Sequence, residues 1–145
     1  MSLLFAFFIL VSCLITLVSS GRLHDLVRDA DVSGLNNYIQ KSKEEKDIIN
    51  VEDENEYGDT ALIVASEKGY SEIVTILIRE LGANVNAINN MNTTALHFAA
   101  YEGHLSVVEI LVKNGADPYS RAKDEWFVLT VVFNMAVYFD LREFK

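Results

Sequence analysis

The sequence predicts an all-α array of repeated helix-turn-helix units. The prediction rests on two amphipathic helical patterns within residues 94–117 and on a second copy of the same pair at residues 60–82. In the downstream copy, Leu96 and Ala99 lie on the apolar face of a first helix, and Val107 and Leu111 lie on that of a second. Each unit is therefore expected to be a helix, a tight turn and a second helix that packs back on the first.

Glycines mark the ends of these helices, and their spacing relates the two copies. Gly103 separates the helices of the downstream unit, and glycine ends a helix in a left-handed conformation without a Cβ penalty. Thr94 follows Thr60 by 34 residues, whereas Gly115 follows Gly82 by 33. A period of this length indicates a repeat architecture in which each unit stacks on its neighbours.

The period and a Thr-x-Leu-His-x-Ala motif at residues 94–99 are similar to those of the ankyrin repeat. The resemblance implies an all-α ankyrin-repeat solenoid of stacked helix-turn-helix units with β-hairpin fingers. It also implies that His97 is a structural residue whose hydrogen bonds tie one repeat to the next. The positions that match the structural motif are Thr60, Leu62, Gly69, Thr94, Leu96, His97, Gly103 and Gly115.

Residues 1–20 are predicted to be a signal peptide or a membrane anchor. They carry no charged side chain, and residues 3–18 form an apolar run. Val18 and Ser20 are small enough for cleavage after Ser20, and the run is shorter than the ~20 apolar residues that span a bilayer. We expect a chain that is secreted or attached to a membrane through residues 3–18. One alternative is lipidation of Cys13. The other is a mispredicted start codon, and in that case the protein would be cytoplasmic.

Repeats are predicted across residues 22–124, with a degenerate copy at 23–51 and clear copies at 56–88 and 89–121. In the degenerate copy Ala30 replaces the glycine between the helices, and terminal repeats are commonly atypical. Asn92 replaces a turn glycine and is expected to tolerate its left-handed geometry. In residues 125–145 the motif fails, because Glu125 and Phe127 stand at the turn-glycine and capping-threonine positions. This segment is either a truncated fourth repeat that acts as a C-terminal cap or a wrongly predicted gene end.

Composition and motifs disfavour several classes of function. The formal net charge of -9 argues against a nucleic-acid partner, since binding phosphates needs clustered Lys and Arg. Cys13 is the single cysteine, so an intrachain disulfide and a thiolate metal site are excluded. The sequence contains no phosphate-binding loop, nucleophile elbow or paired-cysteine motif. We therefore expect no catalytic residues, no metal and no cofactor.

The ankyrin resemblance implies a module that binds another protein through finger tips and the concave face of the first helices. The alternative is a fragment of a larger ankyrin-repeat chain, such as a channel, an enzyme-regulatory protein or a scaffold, whose activity lies outside these residues. We expect a monomer. Residues 52–59 hold five acidic side chains, which either face solvent or dock a basic partner. From the repeat register, the candidate partner-binding residues are Tyr57, Asp59, Glu67, Lys68, Met91, Thr93, Tyr101, Glu102 and Trp126.

Overall fold

The structure is a computed structural model that describes residues 22–45 and 49–123. The predictions for the leader at residues 1–20, for the segment at 125–145 and for Trp126 lie outside these residues. None of the helices in the two described stretches is long and apolar enough to cross a bilayer.

The described residues form three consecutive helix pairs. Residues 22–28 are helical (α1), and the helices that follow are α2 (Val32–Glu45), α3 (Ala61–Glu67), α4 (Ser71–Arg79), α5 (Ala95–Tyr101) and α6 (Leu105–Lys113). The first helices of the second and third pairs, α3 and α5, pack together, and so do the second helices, α4 and α6. The predicted all-α stack of helix-turn-helix units is confirmed.

The apolar faces of the pairs meet in one continuous core. Leu62 of α3 and Leu96 of α5, which are equivalent positions, are both buried, as are Leu77 of α4 and Leu111 of α6. The first pair contributes Leu35 and its neighbours on α1 and α2 to the same core. Because each unit is only two helices thick, it buries its apolar faces against the neighbouring units as well as within itself.

The first helices of the second and third pairs begin at buried threonines. Thr60 caps α3 by accepting a hydrogen bond from the backbone N–H of Ile63 at 3.4 Å. At the start of α5, His97 Nδ1 lies 3.1 Å from the backbone nitrogen of Thr94 and 2.7 Å from its hydroxyl oxygen. The bonds from the backbone N–H groups of Ile63 and Thr94 satisfy donors that the start of a helix leaves without an intrahelical partner.

The turn between the helices of each pair contains a left-handed residue. Gly69 and Gly103 have φ angles of 76° and 78°, and Ala30 occupies the equivalent place in the first pair with φ 54°. At Gly69 a Cβ atom would lie 2.6 Å from the His104 ring, whose Nε2 donates to the Glu67 carbonyl at 3.0 Å. Gly69 therefore allows both the turn and a hydrogen bond between the second and third repeats.

We predict that Leu96→Ala destabilises the protein by about 2–5 kcal/mol, because the substitution leaves a cavity in the core between stacked repeats. Urea denaturation followed by circular dichroism measures the change in the free energy of unfolding. Leu105→Ala is the matched control, since Leu105 is 45% exposed. Equal losses for the two variants, or a native spectrum dominated by strand, would contradict the fold.

A second stability prediction compares Gly69→Ala with Gly103→Ala. Both variants incur the left-handed penalty of roughly 1–2 kcal/mol. Only Gly69→Ala also pushes on the His104 ring, because no atom lies within 4 Å of a Cβ built at Gly103. Thermal denaturation should show the larger loss for Gly69→Ala, and indistinguishable melting temperatures would rule out the ring contact.

Candidate protein-binding surface

The loop segments between helix pairs project as fingers, which we define as finger 1 (residues 49–60), finger 2 (83–94) and finger 3 (116–123). An antiparallel bridge between Glu54 and Thr60 closes finger 1. Within it, Asn55 Oδ1 accepts hydrogen bonds from the backbone N–H groups of Tyr57 and Asp59, each at 2.9 Å. These bonds hold the turn rigidly and place Tyr57 at its tip.

Finger 2 has the same construction one repeat later. Ile88 and Thr94 form its bridge, and Asn89 Oδ1 accepts from the backbone N–H groups of Met91 and Thr93 at 2.9 Å each. Asn92 adopts φ 55°, which confirms that asparagine replaces the turn glycine there. Met91 therefore occupies the tip position that Tyr57 occupies in finger 1.

The fingers are bonded to each other as well as to themselves. The backbone N–H of Asn90 donates to the Tyr57 carbonyl at 3.3 Å, and that of Lys123 donates to the Met91 carbonyl at 3.1 Å. The Lys123 ammonium also donates to the Asn90 carbonyl at 2.7 Å. Successive fingers consequently form a continuous row along the stack.

Asp59, a predicted contact residue, accepts hydrogen bonds that hold finger 1 together and link it to finger 2. One carboxylate oxygen accepts from Asn55 Nδ2 at 3.3 Å, and the other accepts from Asn89 Nδ2 at 2.8 Å. Its backbone carbonyl accepts from His24 Nε2 at 3.0 Å, which joins finger 1 to the first repeat. Direct contact between Asp59 and a partner stays a prediction, but the side chain has a structural use that sequence reasoning missed.

The other predicted contact residues fall into two rows. In the finger row, the exposed fractions of Tyr57 and Met91 are 63% and 54%, whereas Thr93 is half-buried. In the row formed by the first helices, Tyr101 is 61% exposed and Glu102 is exposed. Because α3 packs on α5, the equivalent residues of these two helices are neighbours.

Glu67 and Lys68 form the α3 end of that second row and pair with each other at 3.4 Å. Exposed ion pairs of this kind contribute little to stability, so the pair can open to meet another charged group at small cost.

Sequence reasoning overlooked three exposed apolar residues. Ile88 is 52% exposed, Tyr119 is 84% exposed, and Leu105 lies at the start of α6. The repeat register contained a signal for Ile88, since its equivalent in finger 1 is Glu54 and an apolar residue at a polar position suggests a contact surface. Tyr119 adds an aromatic ring to finger 3.

His97 lies below the fingers, and its surroundings favour the neutral ring. Nδ1 accepts hydrogen bonds from Thr94, so it is the unprotonated nitrogen. Burial lowers the pKa of His97 below its ordinary value of 6.5, and the Ser120 backbone opposes this by a smaller amount. The Ser120 backbone thus favours the protonated ring slightly. Nε2 itself is buried and has no hydrogen-bond partner in the described part of the chain.

Among residues 22–45 and 49–123, no three His, Cys, Asp or Glu side chains are placed to hold a metal ion. These residues present two rows of exposed aromatic, aliphatic and charged side chains.

Comparison with known proteins identifies the repeats. A family model described as ankyrin repeats matches residues 23–122 in three copies. The chain is 35% identical over 91 residues to the human transient receptor potential cation channel subfamily A member 1, which covers 62% of the chain and 8% of the channel. It is 42% identical over 64 residues to the DNA replication inhibitor plutonium of Drosophila melanogaster, covering 44% of the chain and 36% of that protein. It is 39% identical over 66 residues to ankyrin repeat and KH domain-containing protein mask-1 of Caenorhabditis elegans, covering 45% of the chain and 2% of that protein. The chain thus spans only a minor part of each of these relatives.

The environment of His97 predicts that stability falls as the solution becomes acidic. Because its pKa is lower in the folded than in the unfolded state, the stabilisation is complete above about pH 6.5 and is lost as the pH falls through the lowered value. The free energy of unfolding should decrease more between pH 7.5 and 5.5 in the wild type than in His97→Ile. Isoleucine is the matched replacement, since buried Ile63 occupies the equivalent position in the second repeat. Parallel pH profiles for the two proteins would show that His97 does not titrate in this way.

Proposed function

The chain belongs to the ankyrin-repeat family, and we propose that it is a non-catalytic adaptor, scaffold or exported effector that binds one partner protein. Ankyrin repeats are protein-interaction modules. The partner docks on the finger row and on the exposed ends of α3 and α5.

The observation that carries this proposal is the position of the exposed large apolar side chains. Most of those in the described residues lie in the fingers or on α5: Tyr57, Ile88, Met91, Tyr101 and Tyr119. Leu105, on α6, is the remaining member of the set and is less exposed than these. Tyrosine and methionine are enriched in the cores of protein interfaces, so their concentration in the fingers and on α5 favours these elements for docking.

Rigidity is the second argument for the fingers. The tips of fingers 1 and 2 are fixed by asparagine side chains and by backbone bonds between neighbours. A surface that is ordered before binding loses little conformational entropy when the partner arrives. Modest apolar contacts at the tips can then contribute fully to affinity.

The relatives favour a second candidate, in which these repeats are the binding segment of a larger protein. The chain covers 2% of mask-1 and 8% of the channel subunit, so matched repeats commonly reside in much longer chains. One relative, the human 2-5A-dependent ribonuclease, is by its name an enzyme and is matched over 5% of its length. Under this candidate the repeats bind while other domains carry the activity, and end-to-end sequencing of the transcript distinguishes the two.

Alanine substitutions in finger 1, on α5 and on α6 test the binding surface. A partner is first identified by mass spectrometry after capture on the immobilised full-length chain and is then purified. Tyr57→Ala and Tyr101→Ala should each weaken its binding by about 2 kcal/mol, because removing a buried aromatic ring from an interface commonly costs that much.

Leu105→Ala and Glu109→Ala on α6 are the controls, and calorimetry gives the affinities. They should bind the partner as tightly as the wild type does, while circular dichroism verifies that all four variants are folded. If the α6 variants lose as much affinity as the tyrosine variants, the partner contacts α6 and the assignment of docking to the fingers and α5 is wrong.

A further inference from the structure

We infer that the segment that docks on fingers 1 and 2 is basic and apolar: an extended stretch with a Lys or Arg about three residues from an aliphatic or aromatic side chain. The inference rests on the proposed function and specifies the chemistry of its partner. The surface concerned, which we term the two-finger patch, consists of Glu54, Glu56, Tyr57, Ile88 and Met91.

The repeat geometry places the acidic and apolar members of the two-finger patch side by side. Glu54 and Ile88 are the equivalent bridge residues of successive fingers, and Tyr57 and Met91 are the equivalent tips. The bond from Asn90 N–H to the Tyr57 carbonyl holds the two fingers in direct contact. A segment that crosses both fingers must therefore meet two carboxylates beside the Tyr57 ring on finger 1 and two apolar side chains on finger 2.

Glu54 and Glu56 are the acidic side chains of finger 1 that can meet a partner. The other three acidic side chains of this finger accept hydrogen bonds within the array. Glu52 accepts from the Asn84 backbone N–H at 2.7 Å, Asp53 accepts from the Asn50 side chain, and Asp59 accepts from the Asn89 side chain. Glu54 and Glu56 are exposed and take part in no ion pair with the described residues.

No cation of finger 1 offsets the charge of these two carboxylates. Residues 49–67 contain neither Lys nor Arg. Two like charges on one short turn repel each other, and a bound cation relieves that repulsion as well as forming its own ion pairs. Charge complementarity therefore favours a basic side chain of the partner beside Glu54 and Glu56.

Lys123 determines which way the segment lies. Its ammonium is held on the Asn90 carbonyl, and Asn90 is the finger 2 equivalent of Glu56. A second cation beside finger 2 would be repelled, whereas an apolar group there covers Ile88 and Met91. The basic residue of the partner accordingly sits over finger 1 and the apolar residue over finger 2.

The spacing follows from the stacking distance. Packed helices lie about 8–10 Å apart, and α3 and α5, which carry these fingers, are packed together. An extended chain advances roughly 3.3 Å per residue, so the two anchors are about three residues apart.

Panning a phage library of random twelve-residue peptides on the full-length chain tests the inference. The enriched peptides should carry Lys or Arg about three residues from an apolar residue. Their affinity, measured by fluorescence anisotropy, should fall about tenfold for Glu54→Lys/Glu56→Lys and should also fall as salt is raised. Glu72→Lys/Glu109→Lys, which makes the same change of charge on α4 and α6, should leave it unchanged.

The possible failures are distinguishable. Enriched peptides that lack basic residues but lose binding to Tyr57→Ala/Met91→Ala would overturn the basic partner and leave the proposed function standing. Peptides whose affinity is unchanged in both finger variants would overturn the basic partner and also the docking of a partner on the finger row. An enrichment no higher than that obtained on Tyr57→Ala/Met91→Ala would overturn the two-finger patch as a docking site.

Discussion

The burial of apolar faces between successive helix pairs is the constraint on which the rest of this structure depends. A single pair is too thin to remove its own leucines from water, so Leu62, Leu96 and their neighbours are buried only when units stack in register. Stacking in register in turn brings equivalent loop residues to adjacent positions. The finger row is therefore a consequence of the core and is not an independent feature of the fold.

Polar contacts between fingers link the surface back to that core. Asp59 connects the first three repeats through His24, Asn55 and Asn89, and His104 bonds the third repeat to the second. Such half-buried hydrogen bonds are costly to leave unmade, so they favour a single relative position of the repeats. The finger row, which is the proposed binding surface, is positioned by these bonds and by the asparagine bonds within each finger.

Charge in this protein has two distinct uses. Acidic groups such as Glu52 and Asp59 accept hydrogen bonds inside the array, whereas Glu54 and Glu56 remain exposed beside the apolar tips. The carboxylates that contribute to the net charge of -9 thus include some that hold the fingers together and others that, in the proposed function, attract a basic partner. Long-range steering of this kind raises the association rate more than it raises the affinity.

The sequence by itself determined the repeat architecture, because helical periodicity, turn residues and a period of 33 to 34 are local signals that recur in register. It also identified the exposed tips Tyr57 and Met91 and the left-handed role of Asn92. It did not reveal that the Asp59 carboxylate accepts a hydrogen bond from Asn89, 30 residues away, or that Ile88 is exposed, since both depend on how one repeat stacks on the next. Only the tertiary structure decided which carboxylates of finger 1 accept hydrogen bonds from the described residues, because a side chain's partners are settled by how the repeats stack and not by its position in the motif.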